Sequence, residues 1–211
     1  MATATTAKEN ILKRIRKALT NPVPFPFPNS EGVSSLYHAA GDDDAIIFAE
    51  EFTKLQGKFV YCVNESELRA QLTELIQQHG WTKIFCQEPA FTPLLQQLSI
   101  QPFDDLAQCD VSITGCEYLV ARTGSMVLSA AQQKGRTGSV YAPIHICIAY
   151  NSQLVYDIKD ALVFLKEKYT DTFPSFVTFA TGPSRTADIE KTLVTGVHGP
   201  KEVYCFLVEN A

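Results

Sequence analysis

Residues 175–208 read SFVTFATGPSRTADIEKTLVTGVHGPKEVYCFLV, and the parsing of that stretch decides the fold. Ser175–Ala180 is apolar apart from Ser175 and Thr178 and rich in aromatic and β-branched residues, which predicts a buried strand. Thr181-Gly182-Pro183-Ser184 interrupts it: Gly182 reaches backbone conformations other residues avoid, Pro183 fixes its own φ, and Ser184 can cap following N–H groups. The spacing predicts a helix from about Arg185 to Gly196, with Asp188 and Glu190 near its positive end. Val197-His198-Gly199-Pro200 then turns the chain into a last strand, Glu202–Val208. Nearly every polar residue of the stretch lies at a turn, where a site would be built.

Upstream, helical and strand patterns alternate. Helices are expected from Ala45 to about Leu55, at Ser66–His79 and near Thr92–Leu98, with strands at Lys58–Val63, Thr82–Cys86 and near Ala107–Thr114. Short buried strands interleaved with helices call for a mixed, mostly parallel sheet covered by helices on both faces, an α/β fold. Between 110 and 150 the pattern becomes strand-rich, so consecutive strands are expected to pair directly there. In that segment Ile144, Ile146 and Ile148 alternate with His145 and Cys147, as in a strand with two distinct faces. A helix over 157–168 then leads into the C-terminal unit.

The amino-terminal segment stands apart. Residues 6–19 form an amphipathic pattern with Ile11, Leu12, Ile15 and Leu19 on one face. PVPFPFP at 22–28 follows, and its prolines force an extended strap. The expected organisation is therefore a helix and proline-rich arm over 1–30 and an α/β domain over 31–211. The arm either packs as a linker on its own chain or is exchanged with another subunit in a homo-oligomer.

Composition narrows the function classes. The chain has 211 residues, a formal net charge of −5, 45% apolar and 19% charged residues, enough to bury one substantial core. A net negative chain is a poor nonspecific nucleic-acid binder. No stretch approaches the roughly 20 apolar residues of a membrane span, and the basic amino terminus has no apolar signal core, so a cytoplasmic protein is expected. The six cysteines, at 62, 86, 109, 116, 147 and 205, include no C-x-x-C pair. That spacing suits neither a zinc site nor an iron–sulfur cluster on this chain.

The run GPSRTADIEKTLVTGVHGP, the opening ENILKRIRKAL and the turn Ala121-Arg122-Thr123-Gly124-Ser125 together resemble the LUD-domain family, in its lactate-utilization protein C (LutC/YkgG) branch. The resemblance implies a fold like the NagB/RpiA/CoA-transferase group. It also implies a role in oxidising lactate to pyruvate beside iron–sulfur partner subunits, with no cofactor on this chain.

Ligands of open α/β sheets bind at the carboxyl ends of strands, and three loops, 115–125, 181–188 and 196–200, are candidates. Gly182, Ser184, Arg185 and Thr186 resemble an anion cradle at a helix start, but Asp188 and Glu190 nearby weaken it for a phosphate, which leaves a carboxylate ligand or a neutral hydroxyl network as equal readings. His198, bracketed by Gly196 and Gly199, is either an acid, base or ligand group, or a residue that stabilises its own turn. Asp188 is the carboxylate best placed in sequence to contact it. Thr123, Gly124 and Ser125 are assigned to ligand positioning, because no base adjoins the hydroxyls. Glu117 is the nucleophile a CoA-transferase-like reaction would need, or else a structural carboxylate. His145 is expected to satisfy a core hydrogen bond. The functional readings are a ligand-binding or accessory subunit of a lactate-oxidising system, a free-standing CoA-transferase-like or sugar-phosphate isomerase-like enzyme, and a regulatory protein that senses a carboxylate metabolite without converting it.

Overall fold

The computed structural model describes residues 7–20, 43–131, 137–189 and 192–210. The chain divides into two units, Met1–Ala40 and Gly41–Ala211. In the first, α1 (Ala7–Leu19) is the expected amphipathic helix, with Ile11, Leu12 and Ile15 exposed. The proline strap lies outside the described residues.

The second unit is built on a five-stranded sheet. Its strands are β1 (Lys58–Asn64), β2 (Ile84–Phe85), β3 (Val111–Thr114), β6 (Ile144–Tyr150) and β11 (Glu202–Asn210), ordered β1-β11-β6-β3-β2 and all parallel. A second sheet takes β4 (Tyr118–Val120), β5 (Ser125–Ser129), β7 (Leu154–Val155) and β8 (Val177–Ala180) in the order β7-β4-β5-β8, with β4–β5 and β5–β8 antiparallel. The direct pairing expected for the strand-rich centre is that β4–β5 hairpin.

Alternation along β6 and β11 decides what each face of the first sheet buries. Ile146, Ile148, Tyr204, Phe206 and Val208 face one way, onto Leu68 and Leu72 of α3 (Glu65–His79) and Leu95 of α4 (Thr92–Gln97). Cys147, Ala149, Val203, Cys205 and Leu207 face the other, onto Phe48 and Phe52 of α2 (Asp44–Lys54) and onto Leu119, Met126 and Leu128 of the second sheet. The outer face of the second sheet is covered by Ala161 and Leu165 of α6 (Ile158–Lys168). The layers therefore run helix, parallel sheet, mixed sheet, helix. All six cysteines are buried and reduced.

Local chemistry sets the helix ends. Asp43 caps α2 by accepting from the Ala45 N–H, Asn64 caps α3 by accepting from Glu67, and α3 stops at Gly80, whose φ is +64°.

The C-terminal unit departs from expectation. Residues 185–195 are not a helix but two antiparallel strands, β9 (Arg185–Ile189) and β10 (Thr192–Thr195), pairing Arg185 with Thr195 and Thr186 with Val194. Thr186, Ile189, Thr192, Val194 and Thr195 are β-branched and favour extended backbone. That preference outweighs the capping and charge pattern that suggested a helix. No helix dipole stands behind Gly182, Ser184, Arg185 and Thr186, so the anion cradle in its helix-start form is absent.

Two glycines let α2 meet the second sheet. Gly124, at φ +57°, would place a Cβ 2.4 Å from the Phe52 backbone nitrogen, and Gly182, at φ +74°, would place one 2.6 Å from the Leu55 carbonyl oxygen. Both obstacles are backbone and cannot swing aside. Gly124→Ala is therefore expected to lower stability by about 3 kcal/mol through strain and lost packing. A thermal melt should show a midpoint lower by roughly 6–12 °C for a chain of this size.

Candidate functional site

At the amino ends of β6 and β11 the two sheets leave a cleft of about 270 Å³. Leu128 of β5, His145 of β6, Thr178 and Ala180 of β8 and Val203 of β11 form its inner wall. Ser139 of α5 (Gly138–Tyr141) closes one side. The loops Thr181–Ser184 and His198–Pro200 form the mouth. Two of the three expected loops thus converge. They do so at the entering ends of β6 and β11, not in the carboxyl-end crevice of the parallel sheet, because the second sheet brings the carboxyl end of β8 there.

Backbone bonds hold the mouth: Ser184 N–H donates to Pro200 O at 3.0 Å, Gly196 N–H to Ser184 O at 2.9 Å, and Lys201 N–H to Pro143 O at 2.8 Å. Gly199 is required by Ser184, since a Cβ there would lie 2.8 Å from the Ser184 Cβ. The Ser184 hydroxyl has no hydrogen-bond partner among the described residues. His198 is exposed at the mouth, on the wall shared with an adjoining cleft of about 430 Å³ lined by Val140, Tyr141, Pro143, Val197 and Lys201.

His145 is the residue sequence reasoning undervalued. It does make the expected core hydrogen bond, Nε2 to Thr114 Oγ1 at 2.8 Å, and it is 1% exposed. The Thr114 hydroxyl is also 3.0 Å from the Gly115 carbonyl, and the arrangement that satisfies both contacts has Thr114 donating to that carbonyl and accepting from Nε2–H. In that tautomer Nδ1 is an unprotonated acceptor, with no partner among the described residues, on a ring that lines the cleft. Burial pulls the imidazole down to about 4, so it is neutral at physiological pH. The signal was present in the alternation of β6, which sets His145 opposite the isoleucines. Nothing local revealed that the facing sheet falls short of it.

Thr123, Gly124 and Ser125 stand behind the cleft wall. Thr123 Oγ1 and Ser125 Oγ are 2.8 Å apart, and Ser125 Oγ is 2.8 Å from Thr181 Oγ1, a chain of hydroxyls ending on a mouth residue. Arg122 Nε binds Asp157 Oδ2 at 2.7 Å, tying the same turn to the start of α6. Arg185 and Thr186 begin β9, outside the cleft lining. The side chain of Asp188, and with it the expected contact to His198, lies outside the described residues.

Glu117 is apart from the cleft. Its side chain is fully buried and accepts from Lys168 Nζ at 2.8 Å, Tyr169 OH at 2.9 Å and the Ser129 hydroxyl. These partners saturate the carboxylate and tie β4 and β5 to α6. Among the described residues no group of three His, Cys, Asp or Glu is placed to hold a metal ion, and no helix is long and apolar enough to cross a membrane.

Residues 95–208 match the family model described as LUD domain, a span that includes every cleft-lining residue. A lactate utilization protein C from Bacillus licheniformis is 36% identical over 105 residues, 49% of this chain and 44% of that protein. Another of the same name from Geobacillus sp. is 31% identical over 165 residues, 67% of this chain and 68% of that protein. The chain thus matches about half the length of the first of these curated relatives. Among solved structures, a DUF162 family protein from Deinococcus radiodurans superposes with a TM-score of 0.60 at 18% identity, covering 79% of this chain and 99% of that one. At that identity the likeness concerns the fold.

Two expected outcomes separate structure from chemistry here. Glu117→Gln keeps the acceptor but removes the charge, and half-exposed Lys168 can be resolvated, so a stability loss of about 1–2 kcal/mol is expected in denaturant titration. For His145, the folded pKa of about 4 lies below the ordinary 6.5. The unfolded chain therefore takes the proton first, and stability is full above 6.5 and lost as pH falls toward 4, by on the order of 3 kcal/mol. Glu88, raised to about 7 by burial, acts oppositely, since its contribution is full below 4.5 and lost as pH rises through 7. The difference between wild-type and His145→Gln melting profiles should remove most of the Glu88 contribution and slope chiefly between about pH 4 and 6.5.

Proposed function

Because this chain belongs to the LUD-domain family, we propose that it serves lactate utilization in the cytoplasm as a ligand-binding subunit. Its cleft takes a small 2-hydroxy or 2-oxo carboxylate, and separate iron–sulfur subunits carry the redox chemistry. The names of the relatives support the pathway. The observation that carries the site is His145, a buried neutral imidazole on a cleft wall, with one nitrogen bonded to Thr114 and the other without a partner among the described residues.

The chemistry of such a ligand fits this wall. The 2-hydroxyl of lactate donates to the unprotonated nitrogen of His145, while Ser139, Thr178 and Ser184 offer hydroxyls to either the hydroxy or the oxo form. The carboxylate is met at the mouth by a ring N–H of His198, with Lys201 on the adjoining wall supplying a cation. Leu128, Ala180 and Val203 provide an apolar floor for the methyl group. A neutral acceptor suits recognition of a hydroxyl better than proton abstraction, because a group with so low a pKa is a weak base. The oxidation step is accordingly assigned to the partners.

The test is a ligand panel of L-lactate, pyruvate, an acyl-CoA thioester and a sugar phosphate, each added separately to the purified protein in a thermal melt. A ligand at a hundred times its dissociation constant contributes about 2.7 kcal/mol, which raises the midpoint by roughly 5–10 °C. Lactate or pyruvate should give that shift, and His198→Ala and Ser184→Ala should each weaken the response without moving the midpoint of the free protein. A shift confined to the thioester or the sugar phosphate would overturn this reading in favour of a free-standing transferase or isomerase. Silence from the whole panel would remove the ligand site and leave an interaction subunit.

A further inference from the structure

Glu88 follows β2 and reaches across to the turn that follows β3. Its Oε1 accepts from the Gly115 N–H at 2.9 Å, and the space beside Gly115 is so tight that a Cβ there would lie 3.0 Å from Oε2. The same turn supplies the Gly115 carbonyl, 3.0 Å from the Thr114 hydroxyl, which lies 2.8 Å from Nε2 of His145; both contacts are satisfied when Thr114 donates to the carbonyl and accepts from Nε2–H. A continuous series of oriented bonds thus runs from Glu88, through both peptide groups flanking Gly115, to the imidazole in the cleft.

We infer that Glu88 is a positioning residue for the cleft: by holding the Gly115 turn it fixes the direction of the Thr114 proton and so keeps His145 in the tautomer with an unprotonated Nδ1. If the turn loosens, the Thr114 proton is released from Gly115 O and can point at Nε2. His145 then moves its own proton to Nδ1 and presents a donor to the cleft in place of an acceptor. That exchange inverts the ligand preference of the wall, from a hydroxyl to an oxo or carboxylate oxygen. It requires no net gain or loss of protons by His145.

The ionisation of Glu88 is suited to act on this arrangement. Burial, opposed by the Gly115 bond and reinforced by Glu117, raises its carboxyl to about 7, and the ionised form grips the Gly115 N–H more tightly than the neutral acid. The titratable groups that interact with it include Cys86, Cys116, Cys147 and Glu117. The Cys86 thiol is pushed up to about 11, and Cys116 and Cys147 are raised well above the ordinary thiol value. Glu117 is ion-paired with Lys168, and His145 is neutral above about 4.

The decisive experiment is long-range proton–nitrogen NMR of the histidine rings across about pH 6–8, with His145→Gln identifying the signal. In wild type the His145 nitrogens should shift with a midpoint near 7 while the ring stays neutral. Glu88→Gln should abolish that step, as should Thr114→Val, which cuts the connection while leaving Glu88 intact. A flat His145 response in wild type, or a step that survives Glu88→Gln, would overturn the inference. In parallel, L-lactate and pyruvate affinities measured by calorimetry should diverge with pH in wild type and not in Glu88→Gln. This second arm rests on the ligand reading above. Failure of both acids to bind would sink that reading, while the NMR step alone still judges Glu88.

Discussion

Backbone can approach backbone in this protein at two places only glycine permits, and the layers depend on them. Gly124 and Gly182 let the end of α2 rest against two turns of the second sheet, and Phe48 and Phe52 can then fill the space between the sheets. With α2 seated there, the parallel sheet has a partner layer over Cys147, Ala149, Cys205 and Leu207. The partner layer thins toward Val203 and His145, and the cleft is what remains uncovered. The site is thus a consequence of how far one layer extends over another.

The legible parts of the sequence were those where local pattern and burial agree. Helices α2 and α3 are announced by their caps and periodicity, and β6 and β11 by dense apolar runs whose two faces the structure uses separately. The hairpin at 185–195 was misread because capping signals, a serine after glycine and early carboxylates, suit a helix start as well as a turn between strands. The β-branched residues there carried the better information. Thr123-Gly124-Ser125 was legible as a turn but not as a packing contact, since the need for its glycine arises from Phe52, far away in sequence. His145 was placed correctly in the core, yet its role depends on a facing sheet whose extent no local pattern encodes.

The polar groups divide into two kinds by how fully the fold satisfies them. Glu117 is buried with three partners, and its charge is spent on joining β4 and β5 to α6. His145, Ser139, Thr178 and Ser184 line the cleft, and Nδ1 of His145 and the Ser184 hydroxyl have no partner among the described residues. For the buried imidazole such unused capacity is costly unless a ligand or ordered water completes it. The distinction explains why the most strongly tied carboxylate is the weaker candidate for chemistry and the less conspicuous imidazole the stronger one.

The buried thiols also record how the molecule moves. Cys147 and Cys205 face one another across β6 and β11, Cys116 adjoins them in the same core, and Cys62 and Cys86 lie on the opposite face of the sheet. A thiol-specific reagent can reach these sulfurs only when a layer lifts away. The two groups of cysteines are therefore natural reporters on the two faces of the parallel sheet, and the order in which the groups are modified traces the order in which the layers separate.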